Sequence, residues 1–395
     1  MESTSWRASG LAEDPHPQYA RLRAAGPMHR TADGEWWAVD YATATQVLAD
    51  HRLIKGARER SEFRLPPGFG HLPPLEPSML MQDPPEHTRL RNLVSRAFTP
   101  GAVQALRPRI ESLADALLDG VQARGHMDLI ADFAGPLPAT VIAELLGVPP
   151  EDQQRFRRWA DALVRVLDPS QPQTVRLAGL AARLQLVEYF HNLLGRRRGN
   201  LQPGLLAVLA EVEQTDDRLS AGEVLVMAML LLTAGHETTT HLIGTGTLVL
   251  LQHPDELARL RGNPELLPTA VEELLRFAPP VHLDRRIAAV DLELGGQHVQ
   301  AGERVVAVIG SANRDGQIWT DADRLDISRH PNPHLAFGRG IHFCLGAPLA
   351  RLEGQVAFAA LLRRLPGLAL DPGKPPESNG NVVLRGMRRF GVRWA

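Results

Sequence analysis

The sequence is poor in cysteine and has no long apolar run. Cys344 is the only cysteine among 395 residues, so the chain cannot form an internal disulfide or a zinc site with several cysteine ligands. The longest strongly apolar run, Val224–Ala234, is only about half as long as a membrane-spanning helix. We therefore expect no membrane anchor.

Net charge is also small. The formal net charge is −2, so no global field favours nucleic acid as a partner. Residues 1–10 are largely polar and do not resemble a secretory signal. A single cysteine fits a reducing cytoplasm, where we expect the protein to reside. The hydrophobic fraction of 44% and the charged fraction of 22% are ordinary for a globular protein.

Glycines surround the single cysteine. Gly338 and Gly340 precede Cys344, and Gly346 follows it; glycine permits positive φ and close approach to a flat partner. Residues 345–354 predict a helix with a proline in its first turn. A cysteine at the mouth of a helix is favoured as a thiolate, and one thiolate is enough for an axial ligand to haem iron. The alternative is an inert core cysteine.

A long apolar helix is predicted over Ser220–His253, with Ser220 as its N-cap. Polar residues interrupt its middle at positions 234–240, the run Ala-Gly-His-Glu-Thr-Thr-Thr. An acid and hydroxyls inside an apolar helix are costly without a partner or a purpose. The alternative is a satisfied buried polar cluster without further function.

Two other helices carry paired polar residues. His87 and Arg91 are four residues apart and share one helix face, which could also be a solvated basic face. Glu273 and Arg276 are three apart, a common surface pair when considered alone. Residues 286–294 and 303–309 alternate as strands, joined by a turn at Gly295–Gly296.

Four of these patterns occur together in the order found in one protein family. The run Phe337-Gly338-x-Gly340-x-His342-x-Cys344-x-Gly346 resembles the haem-binding signature of the cytochrome P450 monooxygenases. The His87/Arg91 helix, the stretch 234–238 and the Glu273/Arg276 pair resemble other motifs of that family. The resemblance implies a mainly α protein with a small β-rich part, the cytochrome P450 fold, as a single domain over residues 1–395. It also implies haem b, iron protoporphyrin IX, as cofactor.

The resemblance implies roles for individual residues. Cys344 would be the axial ligand of the haem iron. The residues implied to bind the cofactor are His87, Arg91, Arg286, His342, Phe337, Gly338, Cys344 and Gly346. Arg285 is the neighbour that could replace Arg286. The residues implied in oxygen activation are Ala234, Gly235, Glu237 and Thr238; the glycine would relax the helix, and the Glu237/Thr238 pair would deliver protons. Glu273, Arg276 and Arg324 would form a buried structural triad, although the residues flanking Arg324 depart from the family pattern.

The implied function is insertion of one oxygen atom of O2 into a C–H or C=C bond. Electrons would come from a separate ferredoxin and ferredoxin reductase, docking on a basic patch of Arg89, Arg96, Arg339 and Arg351, which could also be scattered surface arginines. The candidate pocket residues are Leu80, Leu231, Val281, His282, Leu283 and Val383. They favour a lipophilic terpenoid, polyketide, macrolide or fatty acid, as in secondary metabolism, and His282 either orients a polar group or faces solvent. The alternatives are a peroxide-driven haem-thiolate hydroxylase and a non-catalytic haem sensor or carrier.

Segments that would set substrate choice are harder to interpret from sequence. Residues 51–80 hold a dense cluster of prolines and glycines, which predicts a long loop. The resemblance implies that this loop closes over the substrate. Residues 151–213 predict helices that form a lid in the resembling family.

Overall fold

The computed structural model describes residues 14–56, 77–95, 98–166, 172–196 and 219–394. The predicted substrate loop and lid therefore lie partly outside the described residues, as does Arg96. The helices are α1 His16–Ala25, α2 Tyr41–Ala49, α3 Glu86–Ser95, α4 Pro100–Gln104, α5 Arg107–Gln122, α6 Pro136–Leu145, α7 Gln153–Arg165, α8 Gln173–Arg196, α9 Ala221–Gln252, α10 Pro254–Gly262, α11 Leu267–Phe277, α12 Ile309–Ala312 and α13 Ala347–Arg364. The strands are β1 Met28–Arg30, β2 Trp36–Ala38, β3 Leu53–Ile54, β4 His126–Asp128, β5 Leu283–Ala288, β6 Leu292–Leu294, β7 Gln297–Val299, β8 Arg304–Val308, β9 Ala369–Leu370, β10 Glu377–Ser378, β11 Met387–Arg389 and β12 Gly391–Arg393.

The two helices predicted around the 234–240 stretch and after Cys344 are present. The helix predicted over 220–253 is α9, and the helix predicted after Cys344 is α13, which begins at Ala347. The mainly α fold with small sheets is confirmed. Within the described part of the chain, no helix combines the length and the hydrophobicity needed to cross a membrane.

The single strand predicted over residues 286–294 is wrong. The chain forms β5, which ends at Ala288, and a separate β6. The reason is a change of partner, because β5 pairs with β8 and β3, whereas β6 pairs only with β7 in its own hairpin. Between them, the Ala289 N–H donates to Arg52 O at 2.8 Å, which anchors the bend.

The chain divides into two compact units. The first unit comprises residues 1–54, 104–137 and 238–395, and the second comprises residues 55–103 and 138–237. The prediction of one domain over 1–395 stays a prediction.

A five-stranded sheet organises part of the first unit. Its strand order is β1-β2-β8-β5-β3, with β2 parallel to β8 and β5 antiparallel to it. The register of β5 on β8 pairs Arg286 with Val305. Apolar residues of β2 and β8 are buried here, so the sheet holds Arg286 on a rigid, packed support.

Helices of the first unit pack closely behind the cysteine loop. α13 contacts both α5 and α11. Gly246 of α9 lies so close to Phe358 of α13 that a Cβ at this glycine would be 2.7 Å from the ring atom Cζ. Glycine is therefore required for this close approach of the two helices.

A buried ion-pair network joins α11 to the loop before the cysteine. Glu273 and Arg276 are fully buried, and the guanidinium binds both carboxylate oxygens at 2.7 and 2.8 Å. Arg276 also donates to Asn313 O and Ala322 O. Buried charges are tolerated when paired and fully hydrogen-bonded, and this pair meets that condition.

The third member of this network is not the predicted residue. Arg329 Nε donates to Glu273 Oε1 at 3.2 Å, whereas Arg324 contributes only its backbone oxygen, which accepts from Arg276. The Arg324 side chain is exposed. The prediction that Arg324 completes the triad is therefore wrong. At residue 324 the backbone carbonyl, not the side chain, points towards Arg276. A turn at 326–329, closed by the Arg329 N–H donating to Asp326 O, then directs the Arg329 side chain towards Glu273.

The second unit contains α7 and α8, which pack against each other. Their shared core is aromatic, with Phe156 and Phe190 in edge contact at 5.3 Å and Trp159 and Tyr189 at 5.6 Å between ring centroids. This packing holds α7, the helix that carries Asp161, against α8.

Candidate active site

The cysteine loop is a short, tightly turned segment between two ordered elements. The Cys344 N–H donates to Phe337 O at 2.8 Å, and a single 3₁₀ turn spans Gly340–His342. Gly338 and Gly340 adopt φ of 71° and 68°, the left-handed region that favours glycine. These turns present an exposed Cys344 thiol three residues before α13 begins.

A charged pair supports this loop from α11 and α13. Arg351 binds both carboxylate oxygens of Glu272 at 2.7 Å, and its guanidinium lies 4.5 Å from the centre of the Phe337 ring. Desolvation of Glu272 opposes ionisation, but hydrogen bonds from Arg351 and His334 hold its pKa at about 2. The charge of Arg351 is therefore already matched within the protein.

The other arginines of the predicted docking patch differ from one another. Arg89 pairs with Glu223, so its charge is also matched. Arg339 is exposed and donates to the neutral Tyr41 hydroxyl at 3.1 Å. Because a neutral hydroxyl cannot balance a charge, this contact leaves the positive charge of Arg339 exposed and uncompensated.

Arg286 and Arg285 have opposite environments although they are neighbours on β5. Arg285 is half-exposed and pairs with Glu35 at 2.9 Å. Arg286 is buried, with Nη1 donating to Asp284 Oδ1 at 2.6 Å, and its Nη2 has no acceptor among the described residues. A buried cationic donor without an acceptor is costly, so Arg286 fits a carboxylate such as a haem propionate, and Arg285 does not.

His87 and Arg91 lie on one face of α3, as their spacing predicts. His87 is 2% exposed. Burial lowers the pKa of His87, and the positive charge of Arg91 lowers it further. The Arg91 guanidinium, next to an imidazole that can donate an N–H without carrying a charge, suits a bound carboxylate.

The polar stretch 234–238 is where the long helix α9 becomes accessible. Ala234 is exposed, and Glu237 and Thr238 are half-buried, whereas the flanking residues 224–229 and 239–243 are buried. The chain is helical through Gly235, so the helix is not interrupted at the glycine. A Cβ at Gly235 would lie 3.4 Å from Ile142 Cδ1, which is ordinary contact.

Glu353 is a buried acid that the sequence interpretation missed. It lies on α13, is 2% exposed, and hydrogen-bonds with Thr239 of α9. Burial raises the pKa of Glu353 to about 8, although the hydrogen bond from Thr239 opposes this shift. Glu353 is thus mainly protonated at neutral pH.

We expect Glu353 to make stability depend on pH. Because its pKa is about 8 in the folded protein against an ordinary 4.5, the folded state holds an extra proton between these values. The free energy of unfolding should therefore fall as pH rises from 5 to 8, by on the order of 1 kcal/mol per pH unit.

The variant Glu353→Gln cannot ionise and should lack this part of the pH dependence. Urea denaturation at pH 5 and pH 8 measures the effect. Equal pH dependence in the variant and the original protein would contradict the assignment.

The predicted pocket residues divide between the two units. In the first unit, Val281 bridges to Leu384, and the His282 N–H donates to Val383 O at 2.9 Å, so 281–283 and 383 lie side by side. Val281, Leu283 and Val383 are partly buried. In the second unit, Leu231 is buried on α9 and Leu80 is 42% exposed in a 3₁₀ turn over Met79–Met81.

His282 does not face solvent. It is 3% exposed, and its Nδ1 lies 3.4 Å from the Tyr19 hydroxyl. Its ring lies against Gly310, where a Cβ would be 2.4 Å from Nδ1. Burial, and then the charge of Arg385, keep the pKa of His282 well below its usual range.

Two side chains, Arg329 and Asp161, could not be identified from the motifs. Arg329 lies five residues after Arg324 in the same irregular segment, and nothing in the sequence indicates which of the two arginines binds Glu273. Asp161 is the only acid of α7 and lies beside His236. A lone acid among several arginines is a signal that could have singled it out.

Comparison with known proteins agrees with this geometry. The family model described as Cytochrome P450 matches residues 29–390. The chain is 44% identical to the cytochrome P450 monooxygenase PikC of Streptomyces venezuelae, over 97% of this chain and 92% of that protein. It is 43% identical to the vitamin D(3) 25-hydroxylase of Pseudonocardia autotrophica, over 96% and 94%.

A solved structure shows the same fold. The myxobacterial cytochrome P450 CYP267B1, in complex with myristic acid, superimposes with a TM-score of 0.89 at 43% identity, covering 99% of this chain and 98% of that one. The chain therefore belongs to the cytochrome P450 family and is a haem-thiolate monooxygenase whose cofactor is iron protoporphyrin IX.

Proposed function

We propose that this chain inserts one oxygen atom of O2 into a C–H or C=C bond of a lipophilic small molecule of the terpenoid, polyketide, macrolide or fatty-acid type. The observation that carries the proposal is the accessible acid and hydroxyl pair, Glu237 and Thr238, in the middle of an otherwise buried helix. Apolar side chains at Leu80, Leu231, Val281, Leu283 and Val383 support the substrate class. The complex of CYP267B1 with myristic acid and the name of the vitamin D(3) 25-hydroxylase also agree with lipophilic substrates.

Each residue has a distinct part in this mechanism. The Cys344 thiolate, as the only thiol of the chain, would ligate the haem iron, with Phe337, Gly338 and Gly346 shaping its loop. Arg286 would bind one propionate through its open Nη2, and His87 and Arg91 the other; His342 would assist. The bound haem supplies oxygen activation and insertion.

Proton supply falls to residues of α9. Glu237 can hold a proton at its carboxylate and pass it to the Thr238 hydroxyl, which donates it towards the haem. Ala234 and Gly235, which lack bulky side chains, leave room beside this pair. The apolar lining excludes water that would otherwise divert the protons.

Electrons would come from a separate ferredoxin and its reductase. Arg339 supports this proposal, because its positive charge is exposed close to the cysteine loop. Arg351 and Arg89 contribute less to docking, since Glu272 and Glu223 already match their charges.

The variant Thr238→Ala tests the proposed proton supply. It should keep the reduced carbonyl band of thiolate-ligated haem but lose coupling, so that product per electron pair consumed falls by about 10²-fold or more. Substrates for the assay come from a ligand screen read by the shift of the haem Soret band. Product yield and hydrogen peroxide release are measured with a ferredoxin and its reductase.

Thr247→Ala is the matched control. Thr247 is a buried threonine of the same helix whose hydroxyl donates within the helix, to Ile243 O at 2.8 Å, so coupling should be unchanged. Full turnover of Thr238→Ala with peroxide alone would favour a peroxide-driven enzyme. Ligand binding without product in the original protein would favour a sensor.

A further inference from the structure

Three titratable side chains lie close together in the second unit: Asp161 of α7, and His236 and Glu237 of α9. One ligand atom from each of Asp161, His236 and Glu237 lies within 4.8 Å of those of the other two. His236 Nδ1 is 3.7 Å from Asp161 Oδ1. Distances of this size are spanned by one bridging water, which makes a hydrogen bond of about 2.8 Å to each side.

The three side chains form a gradient of exposure. The Asp161 side chain is 51% exposed, and that of His236 is 2% exposed. Glu237 is half-buried and directly precedes Thr238 in the chain. One end of the cluster thus faces solvent, and the other end is the acid assigned to proton supply.

We propose that Asp161 is the solvent-side end of a relay, Asp161–His236–Glu237, that carries protons from bulk water to Glu237. This inference rests on the proposed function of the Glu237/Thr238 pair. In each cycle Asp161 takes a proton from water, His236 accepts one proton and releases another, and Glu237 is reprotonated. Only O–H and N–H bonds form and break, and no group is oxidised.

The charges around Asp161 suit this task. Partial burial, followed by the negative charge of Glu237, raises the pKa of Asp161 to about 6. Arg157 and Arg165, about one turn away on either side in α7, act in the opposite direction. Together with His236, these are the charged and titratable groups that act on Asp161 among the residues the structure describes. A carboxyl that titrates near neutral pH both takes up and releases protons readily.

The first test is a titration that needs no substrate. In the diamagnetic ferrous carbon monoxide form of the holoenzyme, NMR of ¹³C-labelled histidine follows the imidazole of His236. In the variant Asp161→Asn, the pKa of His236 should fall, because a nearby negative charge that favours the imidazolium is removed. An unchanged titration would overturn the relay.

The second test is coupling as a function of pH. Product per electron pair consumed should fall about tenfold in Asp161→Asn, at the low end of general acid–base contributions because bulk water substitutes in part. In the original protein, the turnover rate should decline above a pH of about 6, where the Asp161 carboxyl loses its proton. This decline should be absent in Asp161→Asn. Asp161→Glu should restore both features.

Two further variants separate the relay from a structural role. Arg157→Gln keeps the acid but removes a positive charge, so the decline should move to higher pH. Glu188→Gln removes an exposed acid from the neighbouring α8 and should change neither the titration nor the coupling. Normal coupling in Asp161→Asn, with the original protein active, would overturn only the relay; failure of Thr238→Ala to uncouple would overturn the proposed function itself.

Discussion

Replacing Glu273 by glutamine is expected to destabilise the protein by about 3–5 kcal/mol, the cost of leaving one member of a buried ion pair uncompensated. Glu273 and Arg276 are both fully buried. The carboxylate accepts from Arg276, Arg329, the Asn332 side chain and the Asp326 N–H. A glutamine would turn a donor towards these donors and leave the Arg276 charge unmatched. The free energy of unfolding is measured by urea denaturation followed by circular dichroism.

The pair Arg329→Gln and Arg324→Gln makes this test independent of whether Glu273→Gln folds. Arg329 donates to Glu273, so its loss should cost about 1–3 kcal/mol. Arg324 has an exposed side chain, and only its backbone oxygen takes part, so its loss should change stability by less than about 0.5 kcal/mol. Equal destabilisation by both variants would contradict the observed network.

The two arginines also show where sequence interpretation stops. The Glu273/Arg276 pair is local, since three residues on a helix fix its geometry. The third partner comes from an irregular segment about fifty residues later, where hydrogen bonds from Asp326 and Asn332 set the path of the chain. Neither propensity nor periodicity encodes that path, so the sequence alone does not distinguish Arg329 from Arg324 as the third partner.

The same contrast between local sequence patterns and contacts made by packing holds elsewhere in the molecule. The long helix α9 and the helix after Cys344 were predictable, because each is a continuous periodic segment with clear end signals. Asp161 was not, because its proximity to His236 and Glu237 depends on how α7 packs within the second unit. The buried state of Glu353 likewise arises from packing against Thr239. Motifs single out side chains by their spacing along the chain, whereas contacts made only by packing leave no such pattern in the sequence.

Gly340→Ala is expected to destabilise the cysteine loop by about 2–5 kcal/mol. Part of this is the cost of positive φ for a residue with a Cβ, roughly 1–2 kcal/mol, since Gly340 has φ of 68°. The rest is steric, on the order of 1–3 kcal/mol. A Cβ at this position would lie 2.9 Å from Leu48 O and 3.0 Å from Ala49 Cα, so backbone atoms at the end of α2 would have to move.

Gly338→Ala separates these two contributions. Gly338 has nearly the same φ, 71°, but the nearest atom to its added Cβ is His342 O at 3.8 Å. It should therefore show only the conformational cost, roughly 1–2 kcal/mol. Because Gly340 fixes the turn that presents Cys344, the fraction of protein with the reduced carbonyl band of thiolate-ligated haem should fall further in Gly340→Ala than in Gly338→Ala. If the two variants lost the same fraction of this band and the same unfolding free energy, the contact of Gly340 with α2 would not position the thiol. Positive φ alone would then shape the loop.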